Sequence, residues 1–256
     1  MDIWSILIII GIAQGLFTAS IVIIKHKANN SRTFFFILML FLIWLQAEFL
    51  AIRWPYDVGV DLFYGTRYGS WLLLGPLFYL FVNSIGDKDA IKWKDIIHFM
   101  PFVVFVLIIP LLSGDILGFR QVRYGMLSVF DQYNKYVSPI QYLYSVVFIG
   151  QFLHFLYYLI QSNKAIARYE SSLKTSYSDD ILKDTKWLKR LGAYLMVIMV
   201  LVAIFLVVFF FTKVYRRYMD YIYVLPMTFL MYVVGYRISG VEWRSKSPVD
   251  EIKKYH

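Results

Sequence analysis

The sequence predicts an all-α membrane protein, a seven-transmembrane helix bundle. Seven apolar stretches of about bilayer-spanning length predict it, as do a hydrophobic share of 59% against 17% charged residues and a mean hydropathy of +0.59. In 256 residues the spans and their connections leave no room for a separate water-soluble domain. The reading is one helical membrane domain over residues 1–240 and a linker over 241–256.

Span one, about Ile3 to Ile24, follows Met1 and Asp2 directly and precedes Lys25, His26 and Lys27. A cleavable signal peptide puts its basic residues before a short apolar core, so this stretch reads as a retained transmembrane helix. Span two, about Thr33 to Ile52, follows the polar run Lys25 to Arg32. Span three, about Tyr68 to Ile85, carries Trp71-Leu72-Leu73-Leu74 and stops before Gly86-Asp87-Lys88. Span four, about Ile97 to Leu112, has Pro101 near its start and Pro110 near its end, the second favouring a kink or early stop. Span five is about Ile140 to Ile160 and span six about Leu191 to Thr212; span seven, about Tyr221 to Ile238, has a kink expected at Pro226.

Lysine and arginine concentrate on one set of alternating connections: Lys25 to Arg32, Lys88 to Lys94, Lys164 to Arg190, and Arg237 onward. The other set holds Arg53, Arg67, Arg120, Arg123, Lys135, Lys213, Arg216 and Arg217. Because cytoplasmic loops carry the basic excess, the amino terminus of this multi-pass protein is expected outside and the carboxyl terminus in the cytoplasm. Aromatic residues, 20% of the chain, gather near the span edges, among them Trp44, Trp71, Trp187, Tyr142, Tyr157, Tyr158, Tyr221 and Tyr236. There they are expected to anchor at the headgroups.

Two connections carry more than a turn. Gln161 to Arg190 spaces Ile166, Tyr169, Leu173, Trp187 and Leu188 as an amphipathic extension of span five, a turn at Ser176 to Asp179 and a short helix into span six. It suits docking on an anionic leaflet or coupling to something cytoplasmic. Ser113 to Pro139 mixes aromatic and apolar groups with Arg120 and Arg123, and suits a folded lid or an interfacial helix.

The chemistry on offer is thin. Cysteine is absent, which excludes disulfides, a thiol nucleophile and thiolate metal sites. The zinc-protease pair, the phosphate-cradling glycine loop and the serine elbow are missing, so neither an enzyme, a cofactor nor a metal is expected. Glu48 is the most informative residue, because a carboxylate inside span two is costly unless neutral, paired or hydrated. It falls about 21 Å along the helix from Phe34, where Arg53, Arg67 and Arg123 are its candidate partners. The pairing fixes helix packing or forms an acidic wall of an outward-facing pocket. Gln14, Gln46, Gln141, Gln151 and His154 are the other polar residues within spans. Gln151 and His154, three apart, share a face of span five and suit a polar seam against a neighbouring helix. Gly11 and Gly15 have the small-residue spacing that lets helices approach closely.

The segments Gly75-Pro76-Leu77-Phe78-Tyr79-Leu80-Phe81, Trp93 through Phe102, Ser178 through Leu188 and Gly235-Tyr236 together resemble the seven-helix amino-terminal membrane domain of AraC-type transcription regulators from Bacteroidota. The resemblance implies signal reception across the inner membrane, a homodimer in the full-length regulator, and a helix-turn-helix DNA-binding domain beyond the last span. The sequence reaches His256 without that domain, which is expected to be truncated or naturally absent. The resulting expectation is a sensory domain that detects an envelope or small-molecule signal and controls a cytoplasmic transcriptional effector. Its partners would be membrane lipids and an outer-side ligand, with no direct nucleic acid bound by this region. A crevice among spans two, three and seven is its expected site, with Glu48 and Arg53 at the mouth. A small-solute transporter and a non-enzymatic membrane scaffold subunit are the alternatives.

Overall fold

The computed structural model describes residues 2–25, 30–53, 69–86, 93–108, 139–174, 182–212 and 221–239. They form an all-α fold: α1 (Ile3–Lys25), α2 (Asn30–Arg53), α3 (Ser70–Gly86), α4 (Met100–Phe102), α5 (Pro139–Lys174), α6 (Leu182–Thr212) and α7 (Tyr221–Ser239). Asp2 caps α1, its carboxylate accepting the Ser5 amide at 2.7 Å, and the Tyr221 hydroxyl donates to the same carboxylate at 3.0 Å. The start of α1 is thereby tied to the start of α7.

Packing closes a ring. α1 lies against α2 and α7, α2 against α3, α3 against α5, α5 against α6, and α6 against α7. Ring contacts give the directions. Phe35 meets Phe81, so α2 and α3 are antiparallel; Trp71 meets Phe155 while Tyr79 meets Tyr158, so α3 and α5 are parallel. Phe35, Phe78, Phe81 and Phe155 are among the largest fully buried side chains. Apolar side chains also cover the outside, including Phe17 at 60%, Leu153 at 69% and Phe229 at 58% exposed. A surface of that kind matches lipid rather than water.

Glycine allows the closest crossings. A Cβ on Gly11 would overlap the Thr228 methyl, and one on Gly15 would lie 2.9 Å from Ile43 Cγ1. The Gly11 and Gly15 spacing therefore serves α1 packing on α7 and α2 within the chain. Gly75 brings α3 onto Phe155 and Tyr158 of α5 in the same way.

The structure corrects the expectation of a seven-transmembrane bundle with assigned inside and outside termini. Among the described residues three helices are long and apolar enough to cross a membrane: Ile3–Ile24, Asn30–Ala51 and Thr185–Val208. The reasons are local. α3 has 17 residues, about 26 Å of rise against a hydrocarbon core of about 30 Å. Span four is not one helix: a 3₁₀ segment Trp93–Phe99, the single turn α4 and a π segment Val103–Ile108 replace it. Pro101 lies at the start of α4, where its missing N–H costs little, yet regular α-helix is not propagated on either side. α5 is one continuous helix of 36 residues whose apolar stretch carries polar Gln151 and His154. α7 has 19, with Pro226 inside and Arg237 in its last turn. Neither terminus is assigned a side by this architecture.

Trp71, Tyr158 and Tyr221, expected at the headgroups, are packed inside the bundle, 5%, 7% and 6% exposed. Span five and the following segment are joined as expected in one long helix, α5, running to Lys174. The lid segment Ser113 to Pro139 lies outside the described residues apart from Pro139, which begins α5; the linker 241–256 also lies outside.

Candidate functional site

The polar seam on α5 is built by helical spacing. Gln151, His154, Tyr158 and Ser162 succeed one another by three or four residues and so share one stripe. Gln151 is 1% exposed, and neither its carboxamide oxygen nor its nitrogen has a hydrogen-bond partner among the described residues; His154 Nδ1 is likewise buried without one. The His154 ring lies edge-on to Tyr158 with centroids 4.8 Å apart. Ser162 closes the stripe by donating to the Tyr158 carbonyl at 2.8 Å.

The irregular segment comes onto this stripe through one contact. His98 Nδ1 and the Tyr158 hydroxyl are 2.7 Å apart, and His98 Nε2 lies 3.9 Å from the Asp95 carboxylate. Tyr79 of α3 completes the wall, 6.1 Å from His98 and 5.8 Å from Tyr158 by ring centroids. Asp95 and His98 are 24% and 31% exposed, so the line Asp95, His98, Tyr158, His154, Gln151 leads from partly exposed groups through buried Tyr158 and half-buried His154 to fully buried Gln151. Chemically it is a run of hydrogen-bonding and titratable side chains beside a segment whose backbone hydrogen bonding is irregular. His98 and Tyr158 are absent from the site expected on sequence. Tyr158 is the next step of the Gln151 and His154 spacing, whereas His98 carries no local signal.

The residues expected at an outer mouth do not assemble into a described site. Glu48 is 3% exposed and engaged with its neighbours. Arg53 is the last residue of α2, with a side chain outside the described residues, and Arg67 and Arg123 lie outside them altogether. Of the helices expected to frame the crevice, α2 packs against α3 along its length and touches α7, which lies mainly on α1, while α3 turns its other side to α5. Phe49 of α2 instead packs edge-on against Tyr221, centroids 5.7 Å apart, in a small apolar cluster with Ile8 and Val224.

A second buried carboxamide sits where α1, α2 and α7 converge. Gln46 is fully buried, with neither amide atom partnered among the described residues, and a Cβ on Gly11 would lie 3.5 Å from its Oε1. Thr228 satisfies its own hydroxyl on the Val224 carbonyl at 3.0 Å. No group of three or more metal-ligating side chains occurs among the described residues.

No family model matches the chain, and neither a curated protein nor a solved structure matches it. That finding overturns the resemblance to AraC-type regulators and with it the transcription-regulation role. The segments that carry the resemblance have local explanations. Gly75 permits the α3 and α5 crossing, and Gly235 leaves room for Gln14 and Thr18 of α1. Close helix crossings of unrelated bundles ask for the same residues.

Proposed function

We propose that this helical membrane protein is a receptor domain whose α5 seam detects a small uncharged molecule and whose Trp93–Ile108 segment moves in response. The observation that carries the reading is the His98 and Tyr158 contact, a single 2.7 Å latch between the irregular segment and the seam. Long 3₁₀ runs and π turns are uncommon and concentrate at hinges and functional sites. A buried carboxamide without partners costs free energy that a ligand with its own donor and acceptor would recover. Gln151 offers both, so small carboxamides and carboxylic acids in their neutral form are the matching class. Binding that favours the unlatched arrangement shifts the balance between two packings in proportion to its differential affinity. In a cell with two membranes the compartment is the inner one, since spans of the outer membrane are closed strand barrels.

The test uses the chain's lack of cysteine. An environment-sensitive dye on Ile97→Cys, a position 67% exposed, reports the segment in proteoliposomes titrated with a set of small neutral amides and acids. The proposal expects a saturable emission change that Gln151→Leu abolishes without unfolding the protein. No response to any member, or accumulation of the responding compound inside the vesicles, contradicts reception.

A further inference from the structure

The outer surface changes character at one level of the bundle. Along α5 the exposed side chains are apolar through Val146, Ile149, Leu153, Tyr157 and Ile160, and then become Lys164 and Arg168. α6 runs the other way, and Lys189 meets Glu170 of α5 at 2.7 Å, which fixes the register of the two helices. On α6 the change falls between Arg190 and Tyr194, about one and a half turns from the change on α5 in that register. α7 repeats it at Tyr236 and Arg237. Glu170 neutralises Lys189, but among the described residues Lys164, Arg168 and Arg190 have no carboxylate partner.

We infer that the α5 and α6 end of the bundle binds anionic phospholipid, its phosphate held by Lys164, Arg168 and Arg190 and its acyl chains lying on Ile160 and Tyr157. Three arguments select that occupant. The cations are exposed where an apolar surface ends, which is the position of a headgroup, and the long stems of lysine and arginine let the charges reach it. Lys164 and Arg168 are four apart, stacked on one helical face one turn apart. Charge complementarity then favours an anionic over a zwitterionic headgroup. This inference rests on membrane embedding and is independent of the receptor reading.

The full chain in uncharged detergent, titrated with phosphatidylglycerol or with phosphatidylcholine of equal chain length and followed by native mass spectrometry, tests it. Phosphatidylglycerol is expected to be retained preferentially, less so as salt rises. The triple substitution Lys164→Gln, Arg168→Gln, Arg190→Gln should weaken its binding about 100-fold, taking a surface cation near a headgroup at its usual worth. The charge-conserving Lys164→Arg, Arg168→Lys, Arg190→Lys chain should retain it, which separates charge from folding. Equal retention of the two lipids, a salt-independent preference or an unaffected triple variant overturns the inference. Full competition by glycerol phosphate does so as well, by pointing to a free-phosphate site.

Discussion

Gly11 and Thr228 touch across the α1 and α7 crossing so closely that a single added carbon on Gly11 would overlap the Thr228 methyl. Gly11→Ala is therefore expected to destabilise the bundle by about 1–3 kcal/mol, the usual cost of overpacking. Thr228→Ser, which removes that methyl but keeps the hydroxyl bonded to Val224, should restore most of the loss in the double variant. Thermal unfolding in detergent measures both; an additive double variant refutes the contact.

Gly150 on α5 provides the contrast, since nothing lies within 4 Å of a Cβ built there. Gly150→Ala should raise stability by roughly 0.5–1 kcal/mol through helix propensity and a less disordered unfolded chain. A loss of stability in the same unfolding assay would show that the α5 surface is covered at that point.

Gln46 has no partner for either amide atom among the described residues. Gln46→Met removes the polar atoms at similar volume, so stability should be unchanged or higher. A drop of about 2 kcal/mol or more would show that the carboxamide makes hydrogen bonds in the bilayer.

The exposed Lys189 and partly buried Glu170 form a pair at the bundle end. Lys189→Gln should cost less than about 1 kcal/mol, as exposed pairs do. Phe81→Ala, by contrast, removes a fully buried ring set between Phe35 and Trp187 and should cost about 3–5 kcal/mol. Paired unfolding curves check the ranking; equal losses contradict it.

The legible part of the fold is the part that hydropathy measures. Ile3–Ile24, Asn30–Ala51 and Thr185–Val208 read as membrane-length helices because apolar residues continue for a bilayer thickness. The stretch from Ile97 to Leu112 is just as apolar, yet its backbone from Val103 to Ile108 winds as a π segment. Composition carries no record of which carbonyl an amide chooses. The site is half legible for a similar reason. Gln151 and His154 share a stripe by spacing alone, but Tyr158 one turn on looks like a headgroup anchor, because a tyrosine near an apolar edge has the same composition in either role. Its partner His98 is 60 residues away and enters only through tertiary packing. Glu48 shows the converse: burial of a span carboxylate is foreseeable, while the identity of its partners is not.

Tyr158→Phe removes the hydroxyl that His98 meets, so it should weaken the latch by about 0.5–1.5 kcal/mol. A double-mutant cycle with His98→Ala should return a coupling of that size in unfolding measurements. Independent effects of the two substitutions would dissolve the latch.

The central claim, that the Trp93–Ile108 segment has two positions against α5 governed by that latch, is tested by a distance measurement. Spin labels on Ile97→Cys and Leu153→Cys, both exposed in the native chain, report the separation by double electron-electron resonance in nanodiscs. The account predicts one dominant short distance in the native background and a second, longer population when Tyr158→Phe is added. An identical single distribution in both backgrounds would contradict it.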